Sequence, residues 1–405
     1  MLRPYGQAQS RKRGATMELI EKRMLIEHRD RRNVVPGFVT YISNSEPVLM
    51  HCYGWQDYSD GYDDYGIQTS RDNGRTWTDV AIKFRGIKTS GGKIRYGEHS
   101  AFWDPDSEKL IVLVDKTLYR NDAINSQTHF RIVEHVYDAQ TGRWFDERDI
   151  DFGYPGPMAV SFCFPIKTSR GNIMVPVSRA RLDDSGQIFV DERSRTPVAE
   201  PLTMMGRMSD EGRVDWRLGN PMQVDHATTT RGLGEHTYAE LSDGRIAAIL
   251  RGSNAGAPQM PGYKWLAFSS DDGLNWTEPV PVPDTSGNPV RSGANGSAFF
   301  RSIANQRLYW IGNSCMADQE AAGNFPRSPL LLVECREEPF AFDLDNAFII
   351  DHVGAGDSPD LRLSNFRYVQ DRITGELVVY VTRHAERGKA RWQESDYYSY
   401  RVRLD

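Results

Sequence analysis

Glu235 and Arg251 are the residues of this chain whose types and spacing best suit chemistry. They bracket the run Glu235-His-Thr-Tyr-Ala-Glu-Leu-Ser-Asp-Gly-Arg-Ile-Ala-Ala-Ile-Leu-Arg251. Within it, Ser242, Asp243 and Gly244 spell a tight turn: Asp accepts backbone N–H groups and Gly tolerates positive φ. The flanks, Thr237 to Leu241 and Arg245 to Leu250, are short and apolar, as strands are. A hairpin returns the chain to its starting edge, so the carboxylate and the guanidinium are expected side by side at one rim of a sheet. Such a couple is either a proton acceptor beside an anion-binding cation or a structural ion pair.

Other chemistry-bearing residues sit in comparable places. Glu98-His99 opens a strand as Glu235-His236 does, which makes His99 a candidate base or donor to a substrate carboxylate. Arg179 closes the hairpin Cys163 to Val177 much as Arg251 closes its own; it either lines the same pocket or is paired structurally. The loop Gly54 to Tyr65 offers four carboxylates, Asp57, Asp60, Asp63 and Asp64. Its rings Trp55, Tyr58 and Tyr62 suit either stacking on sugar faces or ordinary packing.

The elements that must position these groups are strands. Short apolar runs alternate with Gly, Asp, Asn and Pro turns, and no stretch sustains a helical period. Ser70-Arg-Asp72-Asn-Gly74-Arg-Thr-Trp77 returns as Ser269-Ser-Asp271-Asp-Gly273-Leu-Asn-Trp276, both reading Ser-x-Asp-x-Gly-x-x-Trp after a β-run. Asp takes the turn's N–H groups, Gly supplies a left-handed position and Trp packs between sheets, so the pattern staples a hairpin. Weaker echoes occur at Asp138 to Trp144 and Ser209 to Trp216, and a related turn at Asp371 to Gly375. Trp77, Trp144, Trp216 and Trp276 recur at roughly 60 to 70 residues, the period of a four-stranded blade with generous loops. That period implies about six blades, beginning near residues 33, 95, 157, 232, 292 and 360. The first run, Glu18 to Glu27, is expected to pair with the last, Tyr397 to Leu404, and close the ring.

Bulk properties bound the rest. With 405 residues and no linker, residues 18–405 read as a single domain behind a basic, polar tail over 1–17. That tail lacks the apolar core of a secretory signal, which points to a cytoplasmic protein. A net charge of −6 with mixed signs argues against a nucleic-acid surface, and no apolar run nears the length that spans a membrane. Cys52, Cys163, Cys315 and Cys335 are widely spaced in apolar contexts and read as reduced core residues. No metal-ligand spacing occurs, and no cofactor is expected.

The repeated turn resembles the Asp-box (BNR repeat) of the sialidase superfamily, and the chain is similar to that superfamily along nearly its whole length. The resemblance implies an all-β fold, a six-bladed β-propeller. It also implies three arginines that clamp a substrate carboxylate, a tyrosine nucleophile with a glutamate that takes its proton, and an aspartate acid–base. By position Glu235 matches the glutamate, Arg251 the second arginine and Arg327, in Asn324-Phe-Pro-Arg327-Ser-Pro, the third. Arg32, before Asn-Val-Val-Pro36, is the candidate first arginine, and Asp60 the favoured acid. Tyr368 is the candidate nucleophile; the family's position falls near Asn365 or Phe366, so Tyr368 requires a bulge in its strand.

The implied activity is a sialidase-like exo-glycoside hydrolase acting on an acidic, carboxylated sugar. Two alternatives are a non-catalytic carbohydrate-binding propeller and a propeller polysaccharide lyase that removes the C5 proton of a uronate with a base such as His99.

Overall fold

Runs rich in Val, Ile, Leu, Phe and Tyr, each broken by a turn, become strands here. The computed structural model describes residues 16–120, 130–160, 164–316 and 319–405. Six antiparallel sheets follow one another along the chain and form the blades of a six-bladed β-propeller. Blade 1 comprises Asn33–Tyr41, Leu49–Gln56, Tyr65–Ser70 and Ala81–Phe84. Blade 2 is built on Gly92–Asp104, Lys109–Tyr119 and Phe130–Asp138. Blade 3 uses Met158–Ala159, Ile173–Ala180, Ala199–Met208 and Val214–Leu218. Blade 4 runs Gly234–Glu240, Ile246–Arg251, Lys264–Ser269 and Val280–Pro281. Blade 5 holds Ala298–Arg301, Leu308–Gly312 and Leu330–Glu337, with Phe340–Phe342 and Phe348–Asp351 at its outer edge.

Blade 6 closes the ring. Its strands Phe366–Gln370, Leu377–Thr382 and Tyr397–Leu404 accept Met17–Ile26 as the outermost, antiparallel member. The expected pairing of first and last strands is present, and the six expected blade starts fall within six residues of the observed ones. The strand begins at Met17, the last residue of the expected tail. Residues 1–15 of that tail lie outside the described residues.

Apolar side chains fill the seams between blades. Tyr65, Phe84, Tyr96, Trp103, Leu110 and Val114 pack where blades 1 and 2 meet. Tyr309, Leu332, Phe366, Val379 and Tyr400 do so for blades 5 and 6. Each such side chain contributes about 1.5–3 kcal/mol on burial. Cys52 and Cys335 are buried free thiols, Cys315 is half-buried, and Cys163 lies outside the described residues. Among the described residues no helix is long and apolar enough to cross a membrane.

The two repeated turns have the same internal bonding. The Ser70 hydroxyl donates to Asp72 at 2.8 Å and accepts Gly74 N–H at 2.8 Å, and Asp72 accepts Thr76 N–H at 2.8 Å. In the second copy Ser269 and Asp271 repeat those bonds, with Asn275 in place of Thr76. Trp276 then stacks on Tyr238 with centroids 5.4 Å apart. Gly273 has φ +83° and lies so close to the neighbouring blade that a Cβ would sit 2.6 Å from Thr203 Oγ1. Gly273→Ala is therefore expected to destabilise the fold by about 1–3 kcal/mol, read as a lower urea midpoint at unchanged m-value. An unchanged midpoint would remove the turn's stapling role.

Candidate active site

The first strand of blade 4 does not pair regularly. Its register with Ile246–Arg251 shifts between Gly234 and Thr237, and Glu235 adopts φ +39°. This bulge turns Glu235 out at the rim and sends the next residue, His236, into the core at 1 % exposure. Arg251, at the end of the partner strand, donates through Nη1 to Glu235 Oε1. The hairpin thus gives the side-by-side couple that its turn and flanks predict.

Arg231 stands beside this couple, a residue that sequence reasoning missed. Its segment is tied down on both sides. Thr230 N–H donates to Ser253 O at 2.9 Å, and Ala199 N–H donates to Arg231 O at 2.9 Å. At Gly232 a Cβ would meet Ala199 O at 2.1 Å, so only glycine lets blade 3 approach this closely. The one local signal was an Arg-Gly step four residues before Glu235.

Arg327 comes from blade 5, on the irregular segment 321–329. Three buried asparagines hold that segment by its carbonyls. Asn254 donates to Ala321 O at 2.8 Å, Asn295 to Pro326 O at 3.2 Å and Asn313 to Pro329 O at 2.7 Å. Asn324 joins the two loop arginines: its Oδ1 accepts from Arg231 at 3.0 Å and its backbone oxygen accepts Arg327 Nε–H at 3.1 Å. Lys264, with 0 % exposure, lies beneath and donates to the backbone oxygen of Asn295 and, at 3.0 Å, to its Oδ1.

The charges in this cluster feel one another. Arg251 and burial lower the pKa of Arg231 to about 10, and burial with Arg251 and Arg362 lowers that of Arg327. Burial pulls Lys264 from the ordinary lysine value of 10.5 to about 7, against the support of Glu235. On the opposite wall is Asp60, at φ +62° in the loop between the second and third strands of blade 1. It keeps an open face to solvent, yet protein crowding raises its carboxyl pKa, and the Glu235 charge raises it further. Tyr62 and Glu98 back it. The Tyr62 hydroxyl lies 2.9 Å from Glu98 Oε1 and 3.5 Å from Asp60 Oδ1, and Arg367 donates to Glu98 at 3.0 Å. Burial raises the Glu98 pKa as well.

Glu235, Arg251, Arg327 and Asp60 therefore meet. Two other acids of the Asp60 loop are committed elsewhere: Asp64 accepts Gly86 N–H at 2.8 Å, and Asp63 pairs with Lys93 and with Arg32. Four expected site residues need correction. Arg32 follows a tight turn with Asp30 and Arg31 at positive φ, which leaves its guanidinium 2.9 Å from Asp63. Arg179 pairs with Glu200 at 2.8 Å and lies over Tyr154. His99 follows a bulge like that of blade 4, with a register shift between Tyr96 and His99. The bulge presents Glu98 and buries His99 at 1 % exposure among Tyr65 and Phe84. Tyr368 lies on a strand whose register with Leu377–Thr382 is unbroken, so no bulge re-aims it. It shares a face with Phe366, and its ring packs on Phe164 and Phe300, each with centroids 4.9 Å away.

No family model matches the chain, and no curated protein matches it in sequence. Solved structures do. A Hadza microbial sialidase superposes with TM-score 0.61 at 14 % identity, over 91 % of this chain and 65 % of that one. The fold is that of the sialidases. The intramolecular trans-sialidase of Ruminococcus gnavus, solved with oseltamivir carboxylate, gives TM-score 0.61 at 10 % identity, covering 91 % of this chain and 94 % of that chain. A Fusarium graminearum α-L-arabinofuranosidase, solved with arabinobiose, gives 0.55 at 10 %, covering 95 % and 98 %. The chain spans about two thirds of the Hadza sialidase and nearly the full length of the other two. The architecture is thus a propeller of the kind that glycoside hydrolases use.

Lys264 gives this site a measurable signature. Between pH 7 and pH 10.5 the unfolded lysine binds its proton while the folded one has released it. Stability from this group therefore rises with pH across that window and is flat below it. The unfolding free energy of the wild type minus that of Lys264→Met should grow over this range in urea titrations. A pH-independent difference would place a normal ammonium at this position.

Proposed function

We propose that this protein is an exo-acting glycoside hydrolase for an acidic sugar. The observation that carries the reading is the convergence of Arg231, Arg251 and Arg327 beside Glu235, with Asp60 facing them. Guanidinium groups match a carboxylate in planar, two-bonded fashion, so the cluster would fix the sugar by its acid group. Asp60, whose raised pKa keeps it protonated longer, gives its proton to the glycosidic oxygen as the C–O bond breaks. Glu235, oriented by Arg251, takes a proton from the water that adds to the anomeric carbon. Tyr368 has no part in this scheme, because its ring is committed to Phe164 and Phe300. The lyase alternative loses its base, because His99 is buried among aromatic rings and burial holds its pKa far below the usual range.

The test is turnover of chromogenic sialosides, uronides and neutral glycosides by the folded protein. Release is expected from an acidic member. Glu235→Gln should lower kcat by about 10²–10⁴-fold. Arg327→Met should raise KM by about tenfold or more, the loss of one charge-assisted contact. Turnover of neutral glycosides alone would remove the acidic-sugar reading, and turnover of none would leave a binding propeller.

The pH profile assigns the acid. Activity requires protonated Asp60, so kcat/KM should fall as pH rises through its elevated pKa. Asp60→Asn should abolish that alkaline limb along with most of the rate. An unchanged limb in the variant would assign the proton to another group.

A further inference from the structure

The cluster holds more positive charge than one carboxylate can offset. Arg362, just before blade 6, joins it through backbone and side chain. Leu363 N–H donates to Arg327 O at 2.8 Å, and the Arg362 guanidinium lies 4.9 Å from the centroid of Phe325. Its charge is felt at Arg327. Among the described residues no carboxylate lies within ion-pair distance of Arg231, Arg327 or Arg362. The acid nearest Arg362 in sequence, Asp360, is taken by Lys389 at 3.2 Å. Arg362 Nε is buried and has no hydrogen-bond partner among the described residues. His384, whose backbone oxygen accepts Arg362 N–H at 2.8 Å, supplies no negative charge and is held neutral by burial.

Four guanidinium groups, Arg231, Arg251, Arg327 and Arg362, thus stand around Glu235 and Asp60, an excess of two positive charges even when Asp60 is ionised. Partly buried cations of like sign repel at short range, and a ligand that neutralises them removes that cost. We infer that the site takes a sugar carrying two anionic groups, the first met by Arg231 and Arg327 and the second by Arg362. This inference rests on the acidic-sugar reading above and narrows its substrate class. The second group is a sulfate ester on the same sugar or the carboxylate of an adjoining uronate; both present oxygens to a planar guanidinium.

The test is calorimetric binding at about 0.15 M salt, where exposed charges are screened and a built site is not. The probes are glucuronic acid, its 2-sulfate and an unsulfated diuronide. One of the two dianions is expected to bind about tenfold or more tightly than glucuronic acid, and which one does so names the source of the second charge. Arg362→Gln should erase the gap while leaving the affinity for glucuronic acid within about twofold, and Arg362→Lys should restore part of it. Equal affinity for all three probes would overturn the second subsite and leave the acidic-sugar reading standing. Loss of glucuronic acid along with the dianions in Arg362→Gln, with its melting temperature unchanged, would also overturn it, by placing Arg362 on the first anion. No binding of any probe by the folded wild type would overturn both.

Discussion

Repulsion between guanidinium groups is the constraint around which this face of the propeller is arranged. Left to themselves, Arg231, Arg251, Arg327 and Arg362 would swing apart into water. The segments of Arg231, Arg327 and Arg362 are held by backbone bonds that do not involve their charge, and Arg251 is held by its strand and by Glu235. The Arg231 segment hangs between Ser253 and Ala199, and the Arg327 segment between three buried amides. The repulsion from Arg251 lowers the basicity of Arg231, and burial, with repulsion added, lowers that of Arg327 and of the lysine beneath them. A ring of rigid sheets can bear such a cost because no single strand has to relax to relieve it.

The opposite wall has the complementary property. Asp60 and Glu98 both have elevated pKa values, Asp60 from protein crowding and the Glu235 charge and Glu98 from burial, and Tyr62 lies between them. Acid-retaining groups on blades 1 and 2 thus confront cations on blades 4 to 6, with the axis between. Proton donation and anion capture are different tasks, and separate elements carry them.

Much of the architecture was legible from local patterns. The Ser-x-Asp-x-Gly-x-x-Trp turn carries its own hydrogen bonds, and the tryptophan spacing measures a blade, so fold and blade count needed no long-range information. Glu235 and Arg251 were legible for the same reason, because a hairpin fixes both ends at once. Arg231 and Arg362 were not, since a loop arginine takes its place from another blade's backbone, Ala199 for the first and Arg327 for the second. Arg32 was misjudged because the turn at Asp30 and Arg31 uses left-handed backbone in residues that rarely adopt it. His99 and Tyr368 depended on whether a bulge was present. One lay in blade 2 and reversed the side His99 faces; none lay in blade 6, so Tyr368 kept the face of Phe366.

The pairing of Met17–Ile26 with Tyr397–Leu404 has a temporal consequence. On the ribosome this strand emerges long before the strand it pairs with, and it waits unpaired while the five intervening blades form. Its exposed Leu19, Ile20 and Met24 are then an adhesive edge in search of a neighbour. Only when the final strand leaves the exit tunnel does the annulus lock, so nascent chains stalled shortly before residue 397 are the species most prone to capture by chaperones or by one another.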